Sequence, residues 1–246
     1  MTSVNAFRDV GDNESPEVSI STMWARGRFA RMDEFAARAL DLGFTHVEAN
    51  ASVSPQMLGE LIATRIPISS FHCPCPAALS SQGKPAADLS LSSLDDSERR
   101  EAVAFARQTI DLASSVNARA IVLHMGEVPV DPGLEVKLHR LYSQGRSDTE
   151  EYRQARKELV AQRKSRAAPY VDAAIESLRE LSEYSRERGT VLGVETRFRV
   201  HEIPNLNEGG DLLDAVPAGT VGYWHDVGHA VVQERLGFGS QEEWLS

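Results

Sequence analysis

Short apolar runs that end in a carboxylate or an imidazole recur along this chain, and longer amphipathic segments separate them. The runs are Val18–Met23 (VSISTM), Thr45–Ala49 (THVEA), Ile68–His72 (ISSFH), Ala120–Met125 (AIVLHM), Val191–Glu195 (VLGVE) and Val221–His225 (VGYWH). Runs this short and rich in Val and Ile read as strands. Between them, Arg31–Leu42 carries Met32, Phe35, Ala36, Ala39 and Leu40 at helical spacing, with Gly43 as a stop. Ser54-Pro55 opens a second helix, with Ser as the cap and Pro at the first position. Ser97–Asn117 reads as a third, and Pro169 begins a fourth that runs through Arg188 to Gly189. Parallel neighbours cannot be joined by a tight hairpin, so strand–helix–strand repetition implies a parallel sheet with crossover helices.

This pattern predicts an α/β fold, a (β/α)8 TIM barrel. The chain's 246 residues suit a single such unit, since these barrels take roughly 250. The barrel domain is expected over residues 18–246, after a lead-in at 1–17. Residues 73–95 form a long Pro- and Ser-rich loop. Residues 126–168, after the fourth strand, form a charge-dense helical insertion that reads as a solvated helix or as a lid over the barrel mouth. The residues beyond the sixth strand are too few for two more strand–helix pairs. The barrel is therefore expected to be truncated after that strand, as a piece of a longer protein.

Composition excludes little and shapes the rest. A net charge of −10 argues against a non-specific nucleic-acid coat, which needs clustered Lys and Arg. Nucleic acid is therefore an unfavoured partner, and a small molecule the favoured one. Oligomerisation stays open. The two cysteines, Cys73 and Cys75, stand too close together to staple a fold, which fits a reducing compartment. The first residues, MTSVNAFRDVGDNESPE, lack the basic and apolar regions of a secretory signal. No apolar stretch approaches the ~20 residues of a membrane span. The expected location is cytoplasmic.

In a barrel of this kind chemistry sits at the C-terminal ends of the strands. Those ends carry Glu48, His72, His124, Glu195 and Asp226, with His229 just beyond. A charged or imidazole group after an apolar run needs a partner or a metal ion. Several such ends converging on one mouth suggest a metal centre. Singly, each has a plainer reading: His72 and His124 as hydrogen-bonded strand ends, Glu195 in a salt bridge with Arg197, Asp226 as the cap of the next helix, and Glu48 in a rim salt bridge. His225 is expected to point away from Asp226. The loop TRFRVHEIPN offers Arg197, Arg199, His201 and Glu202 as substrate contacts, or as a solvated loop. Trp24 lines the pocket or simply packs. Cys73 and Cys75 read as reduced, partly buried thiols. There is no P-loop, dinucleotide fingerprint or Gly-x-Ser-x-Gly elbow.

The motifs FHCP, VLHMG, GVETR and WHDVGHA, in that order, resemble the xylose isomerase-like TIM barrels. That group, also called AP endonuclease family 2, holds sugar phosphate isomerases and epimerases together with endonuclease IV-type phosphodiesterases. The resemblance covers about 18–236 apart from the insertion. It implies a divalent metal cofactor (Mn, Mg, Co or Zn), with Glu195 and Asp226 as ligands and Glu195 as a possible acid/base. His72 and His124 would be zinc ligands in a phosphodiesterase and polar pocket groups in many isomerases. His229 would contact substrate in an isomerase or bind a further zinc in a phosphodiesterase. The family also draws a His from a seventh strand and a Glu from an eighth, which this sequence lacks. The implied activity is isomerisation or epimerisation of a sugar or sugar phosphate, with Glu195 and His229 catalytic and Glu48, Arg197 and His229 touching the substrate. Zinc-dependent phosphodiester hydrolysis and a non-catalytic binding barrel are the alternatives.

Overall fold

The computed structural model describes residues 16–246, so residues 1–15 of the expected lead-in lie outside it. In chain order the elements are β1 (Ser19–Ser21), α1 (Met32–Asp41), β2 (His46–Ala49), α2 (Pro55–Ala63), β3 (Ile68–His72), α3 (Asp96–Ser115), β4 (Ala120–Leu123), β5 (Gly126–Glu127), α4 (Pro132–Ser143), α5 (Glu150–Glu187), β6 (Val191–Glu195), β7 (Glu202–Ile203), α6 (Leu206–Asp214), β8 (Val221–Trp224), α7 (Val227–Arg235) and α8 (Gln241–Leu245). Short 3-10 turns lie at Thr22–Ala25 and Ala86–Asp88. Six strands form one sheet in the order β1-β2-β3-β4-β6-β8, and every pairing in it is parallel. Among the described residues β1 and β8 are not bonded to each other, so hydrogen bonds do not close the barrel. No described helix is long and apolar enough to cross a membrane.

The strands expected at Ile68–His72 and Val191–Glu195 form with those bounds. β1 is shorter than VSISTM because Ser21 caps the turn after it, its hydroxyl accepting from the Met23 amide at 3.2 Å. α1 buries Met32, Phe35, Ala36 and Ala39, whereas Leu40, expected on the same face, is 55% exposed. Ser54 caps α2 through the Met57 amide, with Pro55 at the first position. α3 begins one residue before the expected Ser97, capped by Asp95, which accepts from the Ser97 and Glu98 amides. Phe35, Phe71, Ile121, Leu123, Leu178 and Leu192 are among the core residues between sheet and helices. Gly193 permits close approach of β6 and β8: a Cβ there would lie 3.2 Å from the Trp224 side chain.

The insertion differs from its expected form. Pro169 does not start a helix; α5 runs through it as one 38-residue helix. A proline lacks the amide that would bond the carbonyl one turn back, here that of Ser165. Both residues are exposed, so water can satisfy that carbonyl. Nor is the insertion merely solvated. Leu134, Leu138 and Leu141 of α4 and Tyr152 and Leu159 of α5 form a second apolar cluster with Val200 and Leu236. The Tyr152 hydroxyl donates to the Leu236 carbonyl at 3.1 Å. A two-stranded antiparallel ribbon, β5 with β7, ties the start of the insertion to the loop after β6. There Gly126 has φ +119°, and a Cβ would collide with the Ser90 and Ser92 hydroxyls.

Proline in a helix interior costs about 3 kcal/mol, and its stiffening of the unfolded chain returns under about 1 kcal/mol. Pro169→Ala is therefore expected to raise stability by roughly 1–2 kcal/mol in urea unfolding. A fall in the unfolding midpoint would contradict a continuous α5.

Candidate functional site

The sheet brings the strand ends to one cavity of about 590 Å³, whose lining includes Glu48, His72, His124, Glu195, Arg197, Asp226 and His229. Glu195 ends β6, a strand buried along four of its five residues, and its side chain is 3% exposed. His72 and His124 come from the next strands along, β3 and β4. His72 Nε2 and His124 Nε2 are 2.7 Å apart. His124 Nε2 lies 3.0 Å from Glu195 Oε2, and His72 Nε2 lies 3.7 Å from Glu195 Oε1. On the other side of His72, Nδ1 is 3.4 Å from Glu48 Oε1, while Glu48 Oε2 accepts from the Ser70 hydroxyl at 2.9 Å.

The two imidazoles meet at hydrogen-bond distance in unlike surroundings. Burial by itself would lower the pKa of His72, but Glu195 and Glu48 outweigh it and raise it to about 9. Burial lowers that of His124, with the Arg197 and His72 charges adding to the effect against Glu195. Burial would raise Glu195, yet its bonds with His124 and His72 prevail and hold it well below the usual carboxylate range. Glu195 is thus an ionised carboxylate at low exposure, the condition of a metal ligand or an ion-pair partner.

The donor set suits a divalent cation. Two ligands of one ion, each about 2.1 Å from it, stand at most about 4.2 Å apart. The three pairwise distances among His72 Nε2, His124 Nε2 and the Glu195 carboxylate meet that limit. A second group, Glu195, Asp226 and His229, has ligand atoms within 4.8 Å of one another. It fits less well, because His229 Nδ1 is 2.8 Å from the Thr196 carbonyl oxygen. A carbonyl only accepts, so Nδ1 carries the proton and Nε2 is the nitrogen with a free lone pair. Asp226 also caps α7, accepting from the His229 amide at 2.8 Å. The plainer reading of Asp226 therefore holds alongside its place in the cavity.

Arg197 lines the cavity but turns its guanidinium inward. Nη1 donates to Glu195 Oε2, and Nη2 donates to Glu202 Oε1 at 2.6 Å; the side chain is 9% exposed. The Glu195–Arg197 salt bridge raised as the plainer reading is therefore present, and the loop's Glu202 anchors the arginine. His201 is buried and faces Glu135 and Glu127 of the insertion. His225 turns to Tyr223, its Nδ1 2.7 Å from the phenol oxygen. Trp24 packs with Phe29 and Phe35. Cys73 and Cys75 are free thiols, and burial pushes the Cys73 thiol up to about 12. Sequence reasoning missed Asn50, a buried cavity residue whose amide donates to the Ser21 hydroxyl at 3.0 Å. The signal was present: Asn50 lies two residues after Glu48, and residues two apart on a strand share a face.

Fold and cavity together define an α/β barrel-type protein with carboxylate and imidazole groups gathered at its strand ends. The model of the family described as "Xylose isomerase-like TIM barrel" matches residues 36–243, and the chain belongs to that family. No curated protein matches its sequence significantly. Among solved structures it is similar to a 3-keto-D-glucoside 4-epimerase from E. coli, with TM-score 0.60 and 12% identity over 89% of this chain and 72% of that one. It is similar to an L-ribulose 3-epimerase, with TM-score 0.58 and 14% identity over 89% and 63%. It is also similar to a D-psicose 3-epimerase from Clostridium cellulolyticum H10 solved with D-tagatose, with TM-score 0.56 and 17% identity over 89% and 66%. The chain spans less than two thirds of the length of the last two.

Proposed function

We propose that this protein is a metal-dependent isomerase or epimerase of a carbohydrate. The observation that carries the reading is the ionised, buried Glu195 at the cavity wall, with His72, His124, Asp226 and His229 around it. The sugar epimerases among its structural neighbours add support from the same fold. His72, His124 and Glu195 would hold the ion, with Asp226 beside them. A bound divalent cation would supply polarisation of a substrate carbonyl and acidify the hydroxyl next to it.

The chain's own groups divide the remaining work. A carboxylate as acidic as Glu195 accepts a proton poorly, so Glu195 serves mainly as ligand. His229, fixed by its bond to the Thr196 carbonyl, offers Nε2 to move the proton on the adjacent carbon. Arg197 holds the Glu195 carboxylate in place and is itself held by Glu202. Glu48 orients His72 through its second ring nitrogen, the arrangement by which an outer carboxylate steadies a ligand histidine.

A specific observation favours a second reading. Two imidazoles and a carboxylate in contact form a donor set suited to zinc, which activates water for phosphodiester hydrolysis. One experiment separates the two. The metal-stripped protein is titrated with Zn, Mn, Co and Mg by calorimetry, then assayed in deuterated water against ketoses, aldoses and a phosphodiester. Binding of a divalent ion with solvent deuterium appearing at a sugar carbon is expected. Phosphodiester cleavage without sugar turnover selects the hydrolase, and no metal binding with no turnover rejects both.

A further inference from the structure

Among the described residues of the insertion, two charged side chains are buried, Glu135 and Arg163. Both reach the stretch of chain that follows Glu195. Glu135 accepts from the Val200 amide at 3.0 Å. Arg163, on α5, uses its fork twice. Nη1 and Nη2 donate to the Glu208 carboxylate at 2.6 and 2.7 Å, and Nη2 also donates to the Glu202 carbonyl at 2.8 Å. The Glu202 side chain in turn holds Arg197. Its Oε1 accepts from Arg197 Nη2 at 2.6 Å and from Nε at 3.3 Å, and its Oε2 accepts from the Arg199 amide at 2.8 Å. The other end of the Arg197 fork is on Glu195.

We infer that Arg163 is a positioning residue for the metal site: through Glu202 and Arg197, the insertion sets the direction of the Glu195 carboxylate. The inference rests on the metal-site reading above and extends it to α5. Stability alone is a weak reason for a buried ion pair, since apolar residues of similar volume commonly serve as well or better. This part of α5 already packs through Tyr152, Ala155 and Leu159. What a guanidinium adds is direction, because its planar fork fixes two acceptors at once. Here one acceptor is Glu208, which also takes the Asn205 amide at 2.9 Å in the cap of α6. The other is the carbonyl of the residue whose side chain grips Arg197. The Arg197 fork is planar too, so a fixed Glu202 fixes where Nη1 lies. That decides how Glu195 presents its oxygens to His72 and His124. Outer partners that orient a ligand commonly carry about ten- to a hundredfold in metal affinity. Arg163 acts through two side chains, and Gln233 Nε2 also steadies the loop at the Arg197 carbonyl, 3.0 Å away. Its effect therefore belongs at the lower end.

The test reads metal binding and stability separately and needs no substrate. The metal-free protein is titrated with Zn and Co by calorimetry, the visible spectrum of the cobalt form is recorded, and urea unfolding is followed without metal. Arg163→Met combined with Glu208→Gln removes both charges of the pair and strands neither, so the unfolding midpoint is expected to stay near the parent's. Zinc affinity is expected to fall roughly tenfold, and the cobalt bands to shift. Glu208→Gln alone leaves Arg163 on the Glu202 carbonyl. It is expected to lower the midpoint while affinity and spectrum stay as in the parent. Glu202→Gln is expected to weaken metal binding too, and its loss combined with the paired variant's to fall short of the product of the two. Arg163→Lys keeps a charge opposite Glu208 but cannot span to the carbonyl as well, and carries the same expected loss of affinity should the paired variant not fold. Parent affinity and spectrum in the paired variant, an equal loss in Glu208→Gln, or losses that simply multiply with those of Glu202→Gln would overturn the inference. Absence of divalent-ion binding by the parent protein would overturn the metal reading itself, and the inference with it.

Discussion

Glu195→Gln loses metal and activity together while the fold stays. Gln keeps the shape of the side chain and removes both its charge and its basicity. Every group that would share the ion faces Glu195, so affinity is expected to fall by at least about a hundredfold, the upper range for losing a mere outer partner of a ligand. Turnover is expected to fall at least as far as metal occupancy does, because Glu195 acts as ligand and the ion supplies the polarisation. Breaking a buried ion pair ordinarily costs about 3–5 kcal/mol because the abandoned charge stays buried. Here neither counter-charge is abandoned: Arg197 keeps Glu202, and His72 keeps Glu48. The melting temperature of the metal-free variant is therefore expected to stay within a few degrees of the metal-free parent. Metal content, thermal melting and sugar turnover measured side by side decide the matter. Unchanged metal content with undiminished turnover removes Glu195 from the mechanism, and collapse of the fold shows that Glu202 and Glu48 do not compensate.

The reasons that made this site legible also explain what was missed. β6 was readable to the residue because a strand buried in a parallel sheet is a nearly unbroken apolar run, so a terminal Glu195 stands out. Asp226 and His229 were readable because a cap and a strand end coincide there. Pro169 misled because propensity weighs a proline in the abstract, whereas its cost depends on whether the carbonyl a turn earlier can reach water. β5 and β7 have two residues each, too few to show any period. The inward turn of Arg197 needed Glu202, five residues on, and no spacing rule separates that contact from one with substrate. The insertion looked solvated because its charge drew attention from Leu134, Leu138 and Leu141, whose i, i+4, i+7 spacing puts them on one face of α4, buried against α5.

The same long-range blindness covered His201, whose partners lie in the insertion. His201 Nδ1 is 2.6 Å from Glu135 Oε2, and Nε2 is 3.4 Å from Glu127 Oε2. Glu135 also accepts from the Val200 amide at 3.0 Å. This clip joins β5 and α4 to the loop that carries Arg197. The two carboxylates, against burial, raise His201 from its ordinary 6.5 to about 9. A group raised on folding stabilises fully below its unfolded pKa, and the effect is lost as pH climbs through the folded value. The window is thus about 6.5 to 9. A rise of that size corresponds to roughly 3 kcal/mol. Glu127 is 63% exposed, and solvent screening reduces the net to roughly 2 kcal/mol. His201→Gln is therefore expected to melt about 4–8 °C lower near pH 6, where the clip is complete. His72 loses its proton over the same range in the metal-free protein, so the variant should keep about half the parent's decline in stability between pH 6.5 and 9. Urea unfolding of both metal-free proteins at intervals across that range measures the two slopes. Parallel profiles would show that His201 carries no proton in the fold, and the clip would then be a neutral hydrogen bond.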